Sequence, residues 1–156
     1  MNIVLDTNVL IAGLLSPFGA CGEIVPMVSS GEITLSFNAR ILAEYDEVLR
    51  RPKFNFEEEK VIALLDYIAH RGRTAATSPL ANSLPDPDDE TFLETAMASQ
   101  AECFVKGNRN HFPVELCHGI IINSPREFLN IYKKQKKAEK RISRRPARTR
   151  RKPRSG

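Results

Sequence analysis

Three carboxylates, Asp6, Glu44 and Asp89, stand at comparable places in the pattern of this chain. Asp6 closes the apolar run Ile3-Val4-Leu5. Glu44 lies beside the apolar stripe of a helix that follows a second apolar run, and Asp89 falls in the first turn of a helix that leads to a third. Brought together, such acids repel one another and raise one another's pKa unless a cation neutralises them. A hard divalent ion does this well: Mg²⁺ takes one or two carboxylates, keeps several waters and accepts phosphate oxygens as further ligands. The chemistry on offer is that of a divalent cation held by carboxylates, with positions left for water and phosphate oxygens. A lone Asp after a strand also has a plainer use, capping the helix that begins near Thr7, and both readings of Asp6 stand at this point.

For the acids to meet, the apolar runs must be neighbouring strands that end at one edge of a sheet. Ile3-Val4-Leu5 reads as a short buried strand. Residues 9–15 form a buried helix, and residues 20–30 a second one closed by Gly31, with Pro26 forcing a kink or a later start. Residues 33–37 make the second strand. Asn38 caps a helix over 39–50, whose stripe is Ile41, Leu42, Tyr45, Val48 and Leu49. Asn55 with Glu58 resembles a capping box for a helix over 56–70, closed by Gly72, with the Glu57, Glu58 and Glu59 cluster answering the helix dipole. Residues 73–84 read as a connecting loop.

Asp86 then suits an N-cap and Pro87 the first helical position, for a helix to about Gln100 that turns Phe92, Leu93, Ala96 and Met97 inward. Cys103-Phe104-Val105-Lys106 is another core strand, running into a turn over 107–111. Residues 120–122 form the last strand, and Ser124-Pro125-Arg126-Glu127 starts a final helix. Strands separated by helices imply a parallel sheet with helices on both faces, and a ligand crevice beyond the carboxyl ends of the strands.

The chain has 156 residues, enough for one domain and short for two. It contains no apolar run of membrane-spanning length and no basic leader with an apolar core, so a soluble, cytoplasmic protein is expected. Cys21, Cys103 and Cys117 are odd in number and include no C-x-x-C pair, which suggests buried thiols rather than a disulfide framework or a zinc site. The net charge of +4 conceals an asymmetry. Residues 1–132 hold 10 Lys and Arg against 18 Asp and Glu, a balance of −8, whereas residues 133–156 hold 13 against one, a balance of +12. The expected organisation is an acidic domain over 1–132 with a basic, disordered tail over 133–156, whose first turns can extend the last helix.

The separated motifs carry a resemblance. Val4-Leu5-Asp6-Thr7-Asn8-Val9-Leu10, Arg40-Ile41-Leu42-Ala43-Glu44-Tyr45 with Val48 to Phe54, Pro85-Asp86-Pro87-Asp88-Asp89 before Phe92-Leu93-Glu94, Gly107-Asn108 before His111-Phe112-Pro113, and Ser124 to Leu129 together resemble a PIN-domain protein. The type is the toxin of a prokaryotic toxin–antitoxin pair, and the likeness covers about residues 1–132. The resemblance implies a three-layer α/β/α sandwich around a parallel sheet, and a Mg²⁺- or Mn²⁺-dependent ribonuclease with RNA as substrate, a cognate antitoxin as partner and a homodimeric state. By the same resemblance Asp6, Glu44 and Asp89 are the catalytic acids and metal ligands, and Asn8 orients ligands from behind.

Two departures from the family pattern stand out. The acid common after the fourth strand is absent, leaving Asn108 as a neutral ligand or water holder. The small hydroxyl residue usual at the end of that strand is Lys106. Pointed inward, Lys106 would pair with Asp6 or Asp89 and compete with metal; otherwise its stem snorkels to solvent. In the tail, Lys133, Lys134, Lys136, Lys137, Arg144 and Arg145 are candidates for RNA phosphate contacts, against the plainer reading of a solubilising extension.

Overall fold

Five short parallel strands form one sheet in the order β3-β2-β1-β4-β5. The structure, a computed structural model, describes residues 1–80, 83–107 and 117–144. The strands are β1 (Asn2–Leu5), β2 (Thr34–Phe37), β3 (Arg73–Thr74), β4 (Cys103–Val105) and β5 (Ile122–Asn123). The helices are α1 (Thr7–Leu15), α2 (Gly19–Ser29), α3 (Ala39–Leu49), α4 (Glu58–Arg71), α5 (Glu90–Ser99) and α6 (Pro125–Arg144).

β1 is central, with Ile3 opposite both Leu35 of β2 and Cys103 of β4. Ile3, Val4 and Leu5 are all 0% exposed. Consecutive strand residues point to opposite faces, so burial of all three requires a helical layer on each side, as the α/β/α expectation holds. Around them the core gathers Leu10, Ile24, Leu35, Ile41, Tyr45, Leu49, Phe92, Phe104 and Phe128. Phe92 and Phe104 stack at 5.5 Å, tying α5 to β4. α1 and α2 meet at 97°. Their closeness depends on Gly13, because a Cβ there would lie 2.4 Å from the Cys21 carbonyl oxygen. Among the described residues, no single helix is long and apolar enough to cross a membrane.

Several expectations are corrected. Residues 73–74, read as loop, form β3 by pairing with Ser36 and Phe37. α4 starts at Glu58 and not at Phe56, because Asn55 adopts the left-handed conformation (φ 52°) at the end of a 3₁₀ turn over Pro52–Phe54 and makes no capping box. α2 starts at Gly19 and continues past Pro26 to Ser29, so the later start does not occur. Met97, expected inward, is 39% exposed. The last strand is shifted to Ile122–Asn123. α6 continues to Arg144, so the first turns of the basic segment extend the last helix. Residues 145–156 lie outside the described residues.

α6 begins beside the carboxyl end of β5 and descends antiparallel to the strands. By Tyr132 it has reached the opposite edge of the sheet, where the tyrosine hydroxyl donates to Glu32 at 2.9 Å, just ahead of β2. Lys133 pairs there with Glu23 at 3.2 Å.

Candidate active site

The carboxyl ends of β1 and β4 define the site. The Asp6 amide donates to the Val105 carbonyl at 3.0 Å, and the Lys106 amide donates to that of Asn123 at 2.9 Å, so both chains leave the sheet side by side. Asp6 occupies the N-cap position of α1, yet its side chain makes no capping bond. Its carboxylate accepts from the adjoining Thr7 backbone amide and lines the cleft, so Asp6 does not cap α1 in the usual way. α3 is started by Asn38, whose side chain accepts from the Ile41 amide at 2.8 Å. That start places Tyr45 under β1, where its hydroxyl donates to the Leu5 carbonyl at 2.5 Å. Glu44, the preceding residue, is then level with the head of α1 and accepts a bond from the Thr7 hydroxyl. In the third segment, Asp86 caps a 3₁₀ turn over Pro87–Asp89 by accepting from the Asp88 amide at 3.0 Å. Asp86 and Asp88 remain exposed, whereas Asp89 is 3% exposed.

Lys106 is buried, and its ammonium donates to both oxygens of Asp89, at 2.5 and 2.6 Å. Of the two orientations open in the sequence, the inward one is realised. Burial pushes the Asp6 carboxyl up to about 6; Lys106 pulls it down, and Asp89 and Glu44 push it further up. Burial likewise raises Asp89 against the downward pull of Lys106. The Tyr45 phenol is raised by burial and then by the charges of Asp6 and Glu44. Each of these causes reflects acids close enough to feel one another in a region short of water.

Asp6, Asn8, Glu44, Asp89 and Lys106 line one cleft of about 210 Å³, together with Thr7, Val48, Arg51, Asp86, Asp88 and Phe92. The donors are hard oxygens of the kind that Mg²⁺ and Mn²⁺ take; burial is the main cause of the raised Asp6 carboxyl, and the smaller push from Asp89 and Glu44 is repulsion that a cation would relieve. The set fits a divalent ion in chemistry. In the arrangement seen, however, no three acidic, His or Cys side chains among the described residues are set as a ligand group. Lys106 engages both Asp89 oxygens and Thr7 engages Glu44, so an ion would have to displace the ammonium from Asp89.

Asn108 and Arg145 lie outside the described residues. Lys133, Lys134, Lys136, Lys137 and Arg144 are not at the cleft; they sit on the lower part of α6. Three contributors to the site escaped the sequence reading. Thr7 follows Asp6 directly but gave no sign that it faces Glu44. Tyr45 looked like one more core residue, although a buried phenol needs an acceptor. Arg51 stands just past the end of α3, where a helix terminator, Pro52, drew attention instead. Of the cysteines, Cys103 is buried and its thiol is pushed up to about 12 by burial, which makes it inert.

The fold is similar to that in the crystal structure of FitAcB from Neisseria gonorrhoeae, with a TM-score of 0.50 at 18% identity over 80% of this chain and 98% of that one. No curated protein matches the sequence. The PIN-domain family profile matches residues 2–110, which contain the whole described cleft. With that match over most of its length, and with the parallel sheet and its acids in place, this chain belongs to the PIN-domain family.

Proposed function

We propose that the protein is a Mg²⁺- or Mn²⁺-dependent endoribonuclease that hydrolyses RNA phosphodiester bonds in the cytoplasm, as the homodimeric toxin of a toxin–antitoxin pair. The observation that carries this reading is the convergence of Asp6, Glu44 and Asp89, from three distant segments, on one cleft beyond β1 and β4. PIN domains are in general metal-dependent nucleases, which supports the reaction class. The toxin role and the cognate antitoxin rest on the motif resemblance.

Asp6, Glu44 and Asp89 would hold the ion, with Asn108 as a further ligand. Bound there, it supplies a water of lowered pKa and neutralises charge on the phosphate. The chain's own residues do the rest. Thr7 fixes the orientation of Glu44, and Tyr45 holds the end of β1 from which Asp6 projects. Arg51 lines the cleft with a guanidinium, whose forked donors match a phosphate. Lys106, once released from Asp89, is a second cation within reach of the same phosphate. The test is cleavage of RNA with and without Mn²⁺, in the wild type, Asp6→Asn and Asp89→Asn. Metal-dependent cleavage lost in both variants is expected, and cleavage undiminished by either would end the proposal.

The buried Lys106–Asp89 pair favours a second reading, a catalytically weakened PIN module that acts by binding RNA or antitoxin. Calorimetric titration with Mn²⁺ separates the two. Wild type that takes no ion, beside a Lys106→Thr variant that does, selects the weakened module.

A further inference from the structure

The basic segment begins as the last three turns of α6, the extension of the last helix that its first turns allowed, and where those turns lie has consequences. A helix of 20 residues is about 30 Å long. Its first two turns, with Phe128, Leu129 and Tyr132 buried, cross the height of the sheet from the carboxyl to the amino edge. Beyond Tyr132 it borders Met1, Glu32 and Glu102, the residues that lead into or just precede the strands. The remaining turns, over 133–144, are exposed throughout and extend past the amino edge of the sheet. The carboxylate cleft is at the other edge.

Within those turns the charges are ordered. Lys133, Lys137, Lys140 and Arg144 follow one another at spacings of four, three and four residues, which stacks them in one stripe. Lys136 and Arg141 flank it, and the apolar Ala138 and Ile142 fall on the far side. The stripe therefore offers no apolar surface, and lysine is depleted from the buried part of protein–protein interfaces. A row of Lys and Arg along one helix side is the electrostatic footprint of a nucleic acid.

We propose that the 133–144 part of α6 is a second RNA-binding site, at the opposite end of the molecule from the cleft, which anchors a part of a large, folded RNA remote from the scissile bond. The arm's affinity for RNA stands by itself; only its role as anchor for cleavage rests on the ribonuclease reading. From the cleft to the tip of α6 is about the helix length, 30 Å or so, more than a few nucleotides can reach. The substrates favoured are structured RNAs of that dimension, and very short oligonucleotides gain less from the arm.

The experiment uses the full chain with Lys137→Gln, Lys140→Gln, Arg141→Gln and Arg144→Gln combined; glutamine keeps the helical propensity of the replaced residues. Fluorescence anisotropy in EDTA, which keeps cleavage out of the measurement, follows two probes at several salt concentrations. One is a hairpin with a stem of about fifteen base pairs, and the other a single strand of about four nucleotides. The expected result is a hairpin affinity lowered at least tenfold, with the slope of log K against log salt shallower by about three, and a smaller loss for the short strand, whose few phosphates span only part of the stripe. Equal hairpin affinity and slope in the two proteins overturn the proposal. An altered mass in light scattering, or lost binding to phosphatidylserine vesicles, with hairpin affinity intact, would assign the arm to a protein or a lipid surface and likewise overturn it. Arm-dependent hairpin binding in a protein that cleaves nothing would leave this site standing and remove only the nuclease reading.

Discussion

The two charged ends of the molecule handle charge in opposite ways. At the carboxyl edge of the sheet, Asp6, Glu44 and Asp89 are partly or fully withdrawn from water, and an internal ammonium offsets the most buried of them. At the amino edge, the lower turns of α6 spread seven cations against one acid into solvent. Charges in the first region cost stability, and geometry fixes them; charges in the second cost little, and ordinary screening governs them. Buried charge of this kind is what a reacting centre needs, whereas solvated charge gives reach and attraction without precision.

Mutations sharpen this contrast, and the largest effect is expected at Lys106. Lys106→Met leaves Asp89 buried without its ammonium and should lower stability by about 3–5 kcal/mol in EDTA. Mn²⁺ should then raise the variant's Tm more than it raises the wild type's, since Asp89 becomes available to the ion. A Tm unmoved by Mn²⁺ in both proteins would contradict the assignment of the acids as ligands.

Asp6→Asn should act in the opposite direction. The native carboxyl titrates near 6 against an ordinary 3.8, so the folded state holds the proton more tightly than the unfolded one. Stability consequently falls as pH rises from below 4 to above 6. Removing the group should add of the order of 2–3 kcal/mol at pH 7, a gain that vanishes below pH 4, while cleavage is lost. Urea titrations at pH 3.5 and pH 7 would check the sign, and a variant equally stabilised at both would break the argument from burial.

Smaller changes are expected at the rim and on the arm. Arg51→Gln should raise KM for RNA by up to about tenfold with little change in kcat, if the guanidinium holds phosphate in ground and transition state alike. A fall in kcat at constant KM would make it a transition-state contact instead. The combined glutamine substitutions on α6 should shift stability by less than about 0.5 kcal/mol, since they alter only solvated side chains. A clear loss of cooperative unfolding there would mean that the arm is held to the body more firmly than its exposure indicates.

The parts of this contrast that were legible in the sequence are those with local causes. β1 follows from three consecutive apolar residues, α3 from Asn38 and its stripe, and the turn before α5 from Asp86 and Pro87 at fixed offsets. The three acids came into view from their places at the ends and starts of these elements, and the motif resemblance then implied their role. The direction of Lys106 was not legible, because it depends on Asp89 arriving from another segment. Nor was β3, whose Arg73 and Thr74 carry no apolar pattern and pair only because β2 offers them an edge. The start of α4 was misread because an Asn-x-x-Glu pattern says nothing of a left-handed backbone at its first residue. The first turns of the arm were open to reading as an extension of the last helix, because lysine and arginine are good helix formers and an anchored helix propagates where an isolated one would not nucleate.

The order of the strands also bears on how the protein is made. Ile3 of β1 pairs with Cys103 of β4, so β1 gains its second neighbour only after a long intervening stretch of chain has been made. Loop closure over such a span is slow. During synthesis Asp6 therefore has neither Asp89 nor Lys106 settled beside it, and the cleft assembles only after β4 has emerged.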